Sequence, residues 1–384
     1  MSAQRQASSA SVTPHISPAE LSYLHTSLSL PGTPIRPDGR SPTQFRPLSA
    51  ETDILPGTNG SARVGFADGT QAVVGIKAEV ERTVLGPGQA HPDGEGGEGN
   101  GEKKGRSVEG QGSWVQMAIE IPGFRDDDAL PVFLAEMMRE PLVESVSDSS
   151  DNDGQEGMVG GLKGRLVINR RWHWRLYIDV LLLSQPLSYP LPLLSLTTHL
   201  ALLATKLPKL KSKGEEDPFF DDDWNAAEYL YPRTKPSPSI PGQINVHKVR
   251  PPVTLLVISV AQNIIFDPTR GEVAVADAVL ALSITHDPAS GALKLLSIRT
   301  IDPPSRLTQP GVPNSENVAT VGNAAVAEEN AILNPSTGEE EVPGVWRPRR
   351  GGVKRATIAR MVKMVLEKGG VGEEVLGGLE GVET

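Results

Sequence analysis

The sequence GSARVGFADGTQAVVGIKAEV (residues 60–80) restricts the possible fold more than any other segment of the chain. Asp68-Gly69 separates two apolar runs, and Asp-Gly is a strong hairpin signal because glycine accepts the positive φ that such turns require. We therefore predict two strands, 61–67 and 70–79, paired through this turn. The second strand is apolar on both faces, so we expect it to lie in the interior of a sheet.

Similar patterns predict the remaining elements. Further strands are predicted at 114–121, 162–169, 173–183, 252–260, 263–267, 274–285 and 292–300. Helices are predicted from a Ser17 cap to residue 28, after the acidic residues 126–128, from 192 to 207, and around 358–366. The stripe Leu130, Phe133, Leu134, Met137 and Met138 is expected to form the apolar face of the second helix. Hairpins followed by single helices, twice over, predict an α+β fold with helices packed on mixed sheets.

Composition indicates that folded segments alternate with loops too polar to pack. Of 384 residues only 38% are hydrophobic, while Gly (39) and Pro (33) are abundant. The polar insertions are predicted at 86–112, 144–161 and 302–345, as disordered or long surface loops. The predicted division is an N-terminal extension with a short helix (1–35), a main domain (36–301), and a C-terminal helix (346–384) that packs back on it.

Several classes of function are disfavoured by composition. The chain has no cysteine, which excludes disulfides, thiol catalysis and Cys-ligated zinc, and its seven histidines show no paired metal-ligand spacing. We therefore expect no metal and no cofactor. A net charge of −10 is unusual for an autonomous nucleic-acid binder, although it leaves a local basic groove possible. Residues 1–13 lack the apolar core of a signal peptide, and the apolar stretch 176–207 is broken by proline and charge, so no membrane span is expected.

Few residues are candidates for chemistry. The acidic runs 126–128 and 221–223 can each bind a hard cation, but a helix N-terminus and an exposed turn are the favoured interpretations. His199 is expected to be a partly buried helix residue rather than a general base. Asp179, flanked by strand core, has a pattern that suits either a base with a raised pKa or a structural role, and the structural role is favoured.

Two runs of sequence resemble a known family, the RNase PH family. The signature Arg-x-Asp-Gly-Arg falls on Arg36, Asp38, Gly39 and Arg40, followed by Arg46, and the hairpin comes directly after it. The strand motif LYIDVLLL with Asp179 and the motif IIFDPTRGE with Asp267 continue the likeness. Together with IKAEV, these motifs are most similar to one branch of the family, the ring subunits of the RNA exosome.

The resemblance implies an RNase PH-like fold of two βαβ-like halves. It also implies a six-membered ring with a central RNA pore. Active members hold inorganic phosphate on arginine and a Gly-Gly-Thr-Arg loop, and they use an aspartate on a later strand. Here the loop position falls near Pro186-Leu187-Ser188-Tyr189, without glycine or arginine, and the aspartate position near Arg250-Pro251-Pro252. Because neither sequence supplies the required groups, the chain is similar to the non-catalytic members.

We therefore expect a structural ring subunit that supports 3′-to-5′ RNA processing and degradation without catalytic residues of its own. The implied partners are other RNase PH-like ring subunits, RNA-binding cap subunits and RNA in the central channel, with no membrane. The implied locations are nucleus, nucleolus and cytoplasm. Arg125, between a strand and a helix, is the candidate RNA contact, and Arg36, Asp38, Gly39, Arg40, Asp179 and Asp267 are expected to be structural.

Two alternatives stay open on sequence alone. An active phosphorolytic exoribonuclease or nucleotidyl transferase needs a substitute phosphate site, for instance Arg170, Arg171 and Arg175 around Asp179. However, neighbouring strand residues point to opposite faces, which opposes convergence of Arg170 and Arg171. The third class, a mostly disordered interaction hub, is disfavoured by the clear strand and helix patterning.

Overall fold

The structure is a computed structural model that describes most of the chain outside the polar insertions. The described residues are 16–83, 110–143, 161–212, 214, 216–231, 250–287, 291–301, 332–333, 340–341, 346 and 352–382. The predicted insertions at 86–112, 144–161 and 302–345 lie almost wholly outside them.

Helices and strands alternate along the described chain. The helices are α1 Pro18–Leu28, α2 Ala129–Val143, α3 Leu191–Ala204, α4 Arg270–Ala274, α5 Arg355–Leu366 and α6 Val371–Glu380. The strands are β1 Leu48–Thr52, β2 Gly60–Phe66, β3 Gln71–Arg82, β4 Val115–Glu120, β5 Trp172–Leu182, β6 Lys206–Leu207, β7 Glu228–Tyr229, β8 Val253–Val260, β9 Asn263–Phe266, β10 Ala278–His286, β11 Leu293–Ile301, β12 Ile332–Leu333 and β13 Glu340–Glu341. None of these helices has both the length and the continuous apolarity that crossing a bilayer requires.

The predicted hairpin is the centre of the first sheet, whose strand order is β1-β2-β3-β5-β4. β2 and β3 pair antiparallel, with Ala62 opposite Val74, and the turn between them contains Gly69 at a φ of 88°. Only glycine accepts that backbone angle without strain, so the Asp-Gly prediction is confirmed. β4 runs parallel to β5 and the other pairs are antiparallel, which makes this sheet mixed.

A second sheet and a buried helix complete the core. Its order is β11-β10-β8-β9, with antiparallel pairing throughout. α3 contacts β2 and β3 of the first sheet and β8 of the second, and all of its residues are buried. A helix that is apolar on every side needs such a position between two layers. The structure therefore confirms the predicted α+β class.

Some predicted elements are wrong in detail. The predicted strand 162–169 contains a 3₁₀ turn, Lys163–Leu166, and reaches β5 only through one bridge, Val167 to His173. The predicted strand 274–285 begins at Ala278, because a short capped helix, α4, precedes it. The helix predicted to end at residue 207 ends at 204, since residues 206–207 form β6.

Two helices also differ from their predicted patterns. In α2, Leu134, Met137 and Met138 are buried as expected, but Phe133 is 45% exposed. At the C-terminal end, the predicted helix is followed by α6, which the sequence analysis did not identify. Its two consecutive glycines, Gly377 and Gly378, lower helix propensity and hide it from pattern analysis.

Candidate functional site

The loop after α1 brings the Arg-x-Asp-Gly-Arg signature into a tight turn. The backbone N–H of Gly39 donates to the Arg36 carbonyl at 3.1 Å, and the φ of Gly39 is 75°. Asp38 accepts from the backbone N–H of Arg40 at 3.2 Å and from its Nε at 2.7 Å. Partial burial opposes ionisation of Asp38, but the bonds from Arg40 and the Arg36 charge outweigh it and lower the pKa of this carboxyl.

Arg36 is buried and makes a bidentate pair with Glu272 of α4. Its Nε and Nη2 donate to the two Glu272 carboxylate oxygens at 2.7 and 2.9 Å. Nη1 also donates to the carbonyl of Phe266 at 3.2 Å, and Nη2 to that of Asp267 at 2.9 Å. Because an unpaired buried guanidinium is costly, this set of contacts fixes the signature loop against the second sheet.

Asp267 lies at the end of β9, fully buried, with a positive φ of 45°. Its Oδ1 accepts from Nη2 of Arg46 at 2.6 Å, and its Oδ2 accepts from Nε of Arg46 at 2.9 Å. Nη1 of Arg40 donates to the same Oδ2 at 2.8 Å. One carboxylate therefore joins two of the signature arginines.

Arg46 continues the network to the hairpin turn and to the segment after β5. Its Nη1 donates to Oδ2 of Asp68 at 2.6 Å and to Oγ of Ser188 at 2.9 Å, and its guanidinium lies 4.4 Å from the centre of the Phe66 ring. Partial burial opposes ionisation of Asp68, but hydrogen bonds from Thr70 and the Arg46 charge outweigh it and lower the pKa of Asp68.

We call this group the arginine cluster. Its members are Arg36, Asp38, Arg40, Arg46, Asp68, Ser188, Asp267 and Glu272. Three guanidinium groups face four carboxylates, so the cluster carries a formal charge of −1. Positive charge on the signature arginines is thus neutralised within the protein.

Sequence reasoning did not identify three members of the cluster: Asp68, Ser188 and Glu272. For Glu272 a signal exists, because Thr269-x-x-Glu272 forms a capping box in which the Thr269 hydroxyl accepts from Glu272 N and the Glu272 carboxylate accepts from Thr269 N. The Asp-Gly hairpin pattern explains why Asp68 lies in a turn, but it does not predict an ion pair between Asp68 and a distant arginine. Ser188 carries no such pattern.

The other sequence candidates lie apart from the cluster. Asp179 is exposed on the open face of the first sheet rather than enclosed by strand core. Arg175 is committed to Glu81, with both carboxylate oxygens accepting at 3.1 Å. Arg125 is highly exposed, with 82% of its side chain accessible, and forms a 3.3 Å ion pair with Asp127. In the described part of the chain, no group of three or more His, Asp or Glu residues has the arrangement of a metal site.

His199 is completely buried in α3, where the sequence predicted partial burial. Burial, with the nearby Arg250 charge adding to it, lowers the pKa of His199 to about 3, so the ring is neutral in the folded protein. Arg250 is itself buried, and its Nη2 lies 3.3 Å from the Glu380 carboxylate of α6. This ion-paired cation lies near the position at which the resemblance implies a catalytic aspartate.

Comparisons with solved structures give exosome cores at low similarity. The Archaeoglobus fulgidus exosome with RNA bound to the active site is 19% identical, covers 73% of this chain and 86% of that chain, and has a TM-score of 0.45. An archaeal exosome core is 18% identical, with 73% and 84% covered and a TM-score of 0.43. No family model matches the chain.

Comparison with curated sequences is more specific. Exosome complex component rrp42 of Schizosaccharomyces pombe is 33% identical over 289 residues, which is 71% of this chain and 79% of the relative. Exosome complex component RRP42 of Saccharomyces cerevisiae is 30% identical over 290 residues, covering 74% and 86%. These relatives belong to the exosome branch that the signature and strand motifs indicate. By this identity and coverage, the chain belongs to the family of exosome complex component Rrp42.

Proposed function

We propose that this chain is a non-catalytic structural subunit of the hexameric RNase PH-like ring of the RNA exosome. In this role it supports 3′-to-5′ RNA processing and degradation, including ribosomal RNA maturation, by shaping the ring and its RNA channel. The observation that carries the non-catalytic reading is the arginine cluster, because its three arginines are all engaged by internal carboxylates.

Phosphate binding needs donors and positive charge that remain available to a ligand. The guanidinium of Arg36 is paired with Glu272, and the guanidinium of Arg46 is paired with Asp267 and Asp68. Ser188, in the segment at the expected phosphate loop, accepts a hydrogen bond from Arg46. It therefore occupies a donor of Arg46 and offers no positive charge to a phosphate. A phosphate ion at this place would meet a cluster of formal charge −1, so phosphorolysis has no support here.

The expected position of the catalytic aspartate gives a second, independent support. Near it lie Arg250, which is ion-paired with Glu380, and the two prolines that follow. Neither a guanidinium nor a proline exchanges a proton near neutral pH, so general acid–base catalysis lacks its group. The substitute site considered above is also disfavoured, because Arg175 pairs with Glu81 and lies four strand residues, about 13 Å, from Asp179.

The proposed partners are other RNase PH-like ring subunits, RNA-binding cap subunits, and RNA in the central channel. Leu181, Leu183 and Leu187 are exposed along the end of β5 and the segment after it, and such adjacent apolar side chains suit a protein interface. Arg125 remains the proposed RNA contact, since it is exposed in the segment between β4 and α2. Nuclear, nucleolar and cytoplasmic location is proposed with this role, and the domain boundaries at 36 and 301 stay a prediction.

The decisive experiment incubates the purified full-length chain with labelled single-stranded RNA, magnesium and inorganic phosphate. We expect no nucleoside diphosphate, alongside a phosphorolytic exoribonuclease as the positive control. Release of nucleoside diphosphates by the pure chain would refute the non-catalytic reading.

Assembly is tested separately by native mass spectrometry with the other ring subunits. The substitution Leu183→Asp is expected to weaken ring formation, whereas Phe219→Asp, also at an exposed apolar residue but outside this surface, is expected to leave it unchanged. Equal assembly by both variants would exclude this surface as an interface.

A further inference from the structure

A cavity of about 340 Å³ opens between the start of β5 and the β6–β7 ribbon, away from the arginine cluster. Val167, Ile168, Trp174, Leu207, Leu210 and Phe220 contribute apolar side chains to its lining, beside the polar residues Arg165, Glu228 and Tyr229. Trp174 and Phe220 are in ring contact, with centroids 5.0 Å apart. The volume lies in the range of built ligand pockets and is large enough for one bulky side chain with adjoining backbone.

Arg165 is the cation of this cavity. Its Nη1 donates to the Leu230 carbonyl at 3.1 Å, and its guanidinium lies 4.8 Å from the centre of the Tyr231 ring. Its Nε is buried without a hydrogen-bond partner, and no carboxylate in the described part of the chain pairs with it. Burial lowers the pKa of Arg165. A desolvated guanidinium without an anion favours a ligand that brings one.

The rim of the cavity carries carboxylates, some of which are paired with lysines. Directly after Phe220 come Asp221, Asp222 and Asp223, and Glu228 lies in the lining. Asp221 is paired with Lys211 at 3.0 Å and Glu228 with Lys209 at 4.0 Å, while Asp222 and Asp223 make no ion pair with the described residues. Asp222 and Asp223 therefore remain available to attract basic side chains.

We propose that this cavity, the Arg165 pocket, binds an extended segment of a partner protein. The segment inserts a bulky apolar side chain beside Phe220 and Trp174, places a carboxylate on Arg165, and carries Lys or Arg toward Asp222 and Asp223. Each of the three features answers one property of the pocket: apolar walls, an uncompensated cation and an acidic rim. The proposal concerns a surface that shares no residue with the arginine cluster, so it does not depend on the non-catalytic role.

The test is a selection of random displayed peptides of about 12 residues on the full-length chain, followed by affinity measurement on a synthetic peptide with the selected consensus. We expect a consensus with an aromatic or leucine residue, an Asp or Glu, and a basic flank. Arg165→Gln and Phe220→Ser are each expected to weaken binding about ten-fold or more. The matched controls Arg63→Gln and Phe219→Ser, at exposed positions outside the pocket, are expected to bind as the wild type does.

A surface variant keeps the test decisive if Arg165→Gln fails to fold. Reversal of charge at Asp222 and Asp223 to lysine leaves the pocket walls intact and is expected to abolish preference for a basic flank. Absence of enrichment above the Arg165→Gln background, or equal binding by the pocket and control variants, would overturn the proposal. So would binding of an oligouridine probe that is lost in Arg165→Gln, because the pocket would then be a nucleic-acid site.

Discussion

The substitution Asp267→Asn tests the energetic role of the arginine cluster. Asp267 is fully buried, accepts three bonds from Arg46 (from its backbone N–H, Nε and Nη2) and one from Arg40, and has a φ of 45°. Asparagine has nearly the same shape and tolerates a positive φ. The substitution therefore removes the negative charge and leaves the backbone geometry accessible.

The expected loss follows from the partners left behind. Removal of one member of a buried ion pair costs about 3–5 kcal/mol, because the remaining charge stays desolvated. Arg46 retains Asp68 and Arg40 retains Asp38, so we expect the lower end, about 3 kcal/mol of unfolding free energy. Asp267→Ala removes the same charge and adds about 1 kcal/mol, since alanine is strained at a positive φ.

The assay is urea unfolding of the full-length variants, followed by tryptophan fluorescence and circular dichroism. The free energy is extrapolated to water at an unchanged slope m. The matched control is Asp179→Asn, another aspartate of the family motifs, which is exposed and should change stability by less than about 0.5 kcal/mol. An Asp267→Asn variant as stable as this control would refute the electrostatic argument. An alanine variant no less stable than the asparagine variant would refute the backbone argument.

Three further predictions address other parts of the fold. His199 is neutral when folded (pKa about 3) but binds a proton near pH 6.5 when unfolded, so stability should fall from pH 7 to pH 5. His199→Leu should remove about 2 kcal/mol of that fall. An unaltered slope in His199→Leu would contradict burial of a neutral ring. The free energy of unfolding should fall by about 3–5 kcal/mol in each of the variants Arg36→Gln and Glu272→Gln. In the double variant the loss should be about 1–3 kcal/mol smaller than the sum of the two single losses. Additivity in this double-mutant cycle would exclude a direct pair. Ser17→Ala should cost about 1 kcal/mol in thermal unfolding, because the Ser17 hydroxyl caps α1 by accepting from Glu20 N at 3.2 Å; no loss would show that the cap is dispensable.

Local patterns predicted the elements whose structure is decided by neighbouring residues. The Asp68-Gly69 hairpin, the Ser17 cap and the buried leucines of α3 all follow from turn chemistry, capping and apolar periodicity. The 3₁₀ turn at Lys163–Leu166 was misread as a strand, because a short apolar run fits both conformations.

Local sequence patterns do not predict which distant residues come together in the fold. The family resemblance singled out Arg36, Arg40 and Asp267, but nothing in the spacing says that Asp267 lies between two arginines. The hairpin turn alone explains an aspartate at position 68, so the sequence gives no separate indication of its ion pair with Arg46. Such contacts depend on how the sheets pack, which periodicity does not encode.

The arginine cluster also has a consequence for the order in which the protein is made. Arg36 and Glu272 are separated by 236 positions, and Arg46 and Asp267 by 221. Translation runs from the N-terminus, so the signature arginines emerge from the ribosome long before their carboxylate partners exist. A nascent or prematurely terminated chain that stops before β9 carries three guanidinium groups without Asp267 and Glu272. The native locking of the N-terminal loop therefore becomes possible only after about two-thirds of the polypeptide has been synthesised.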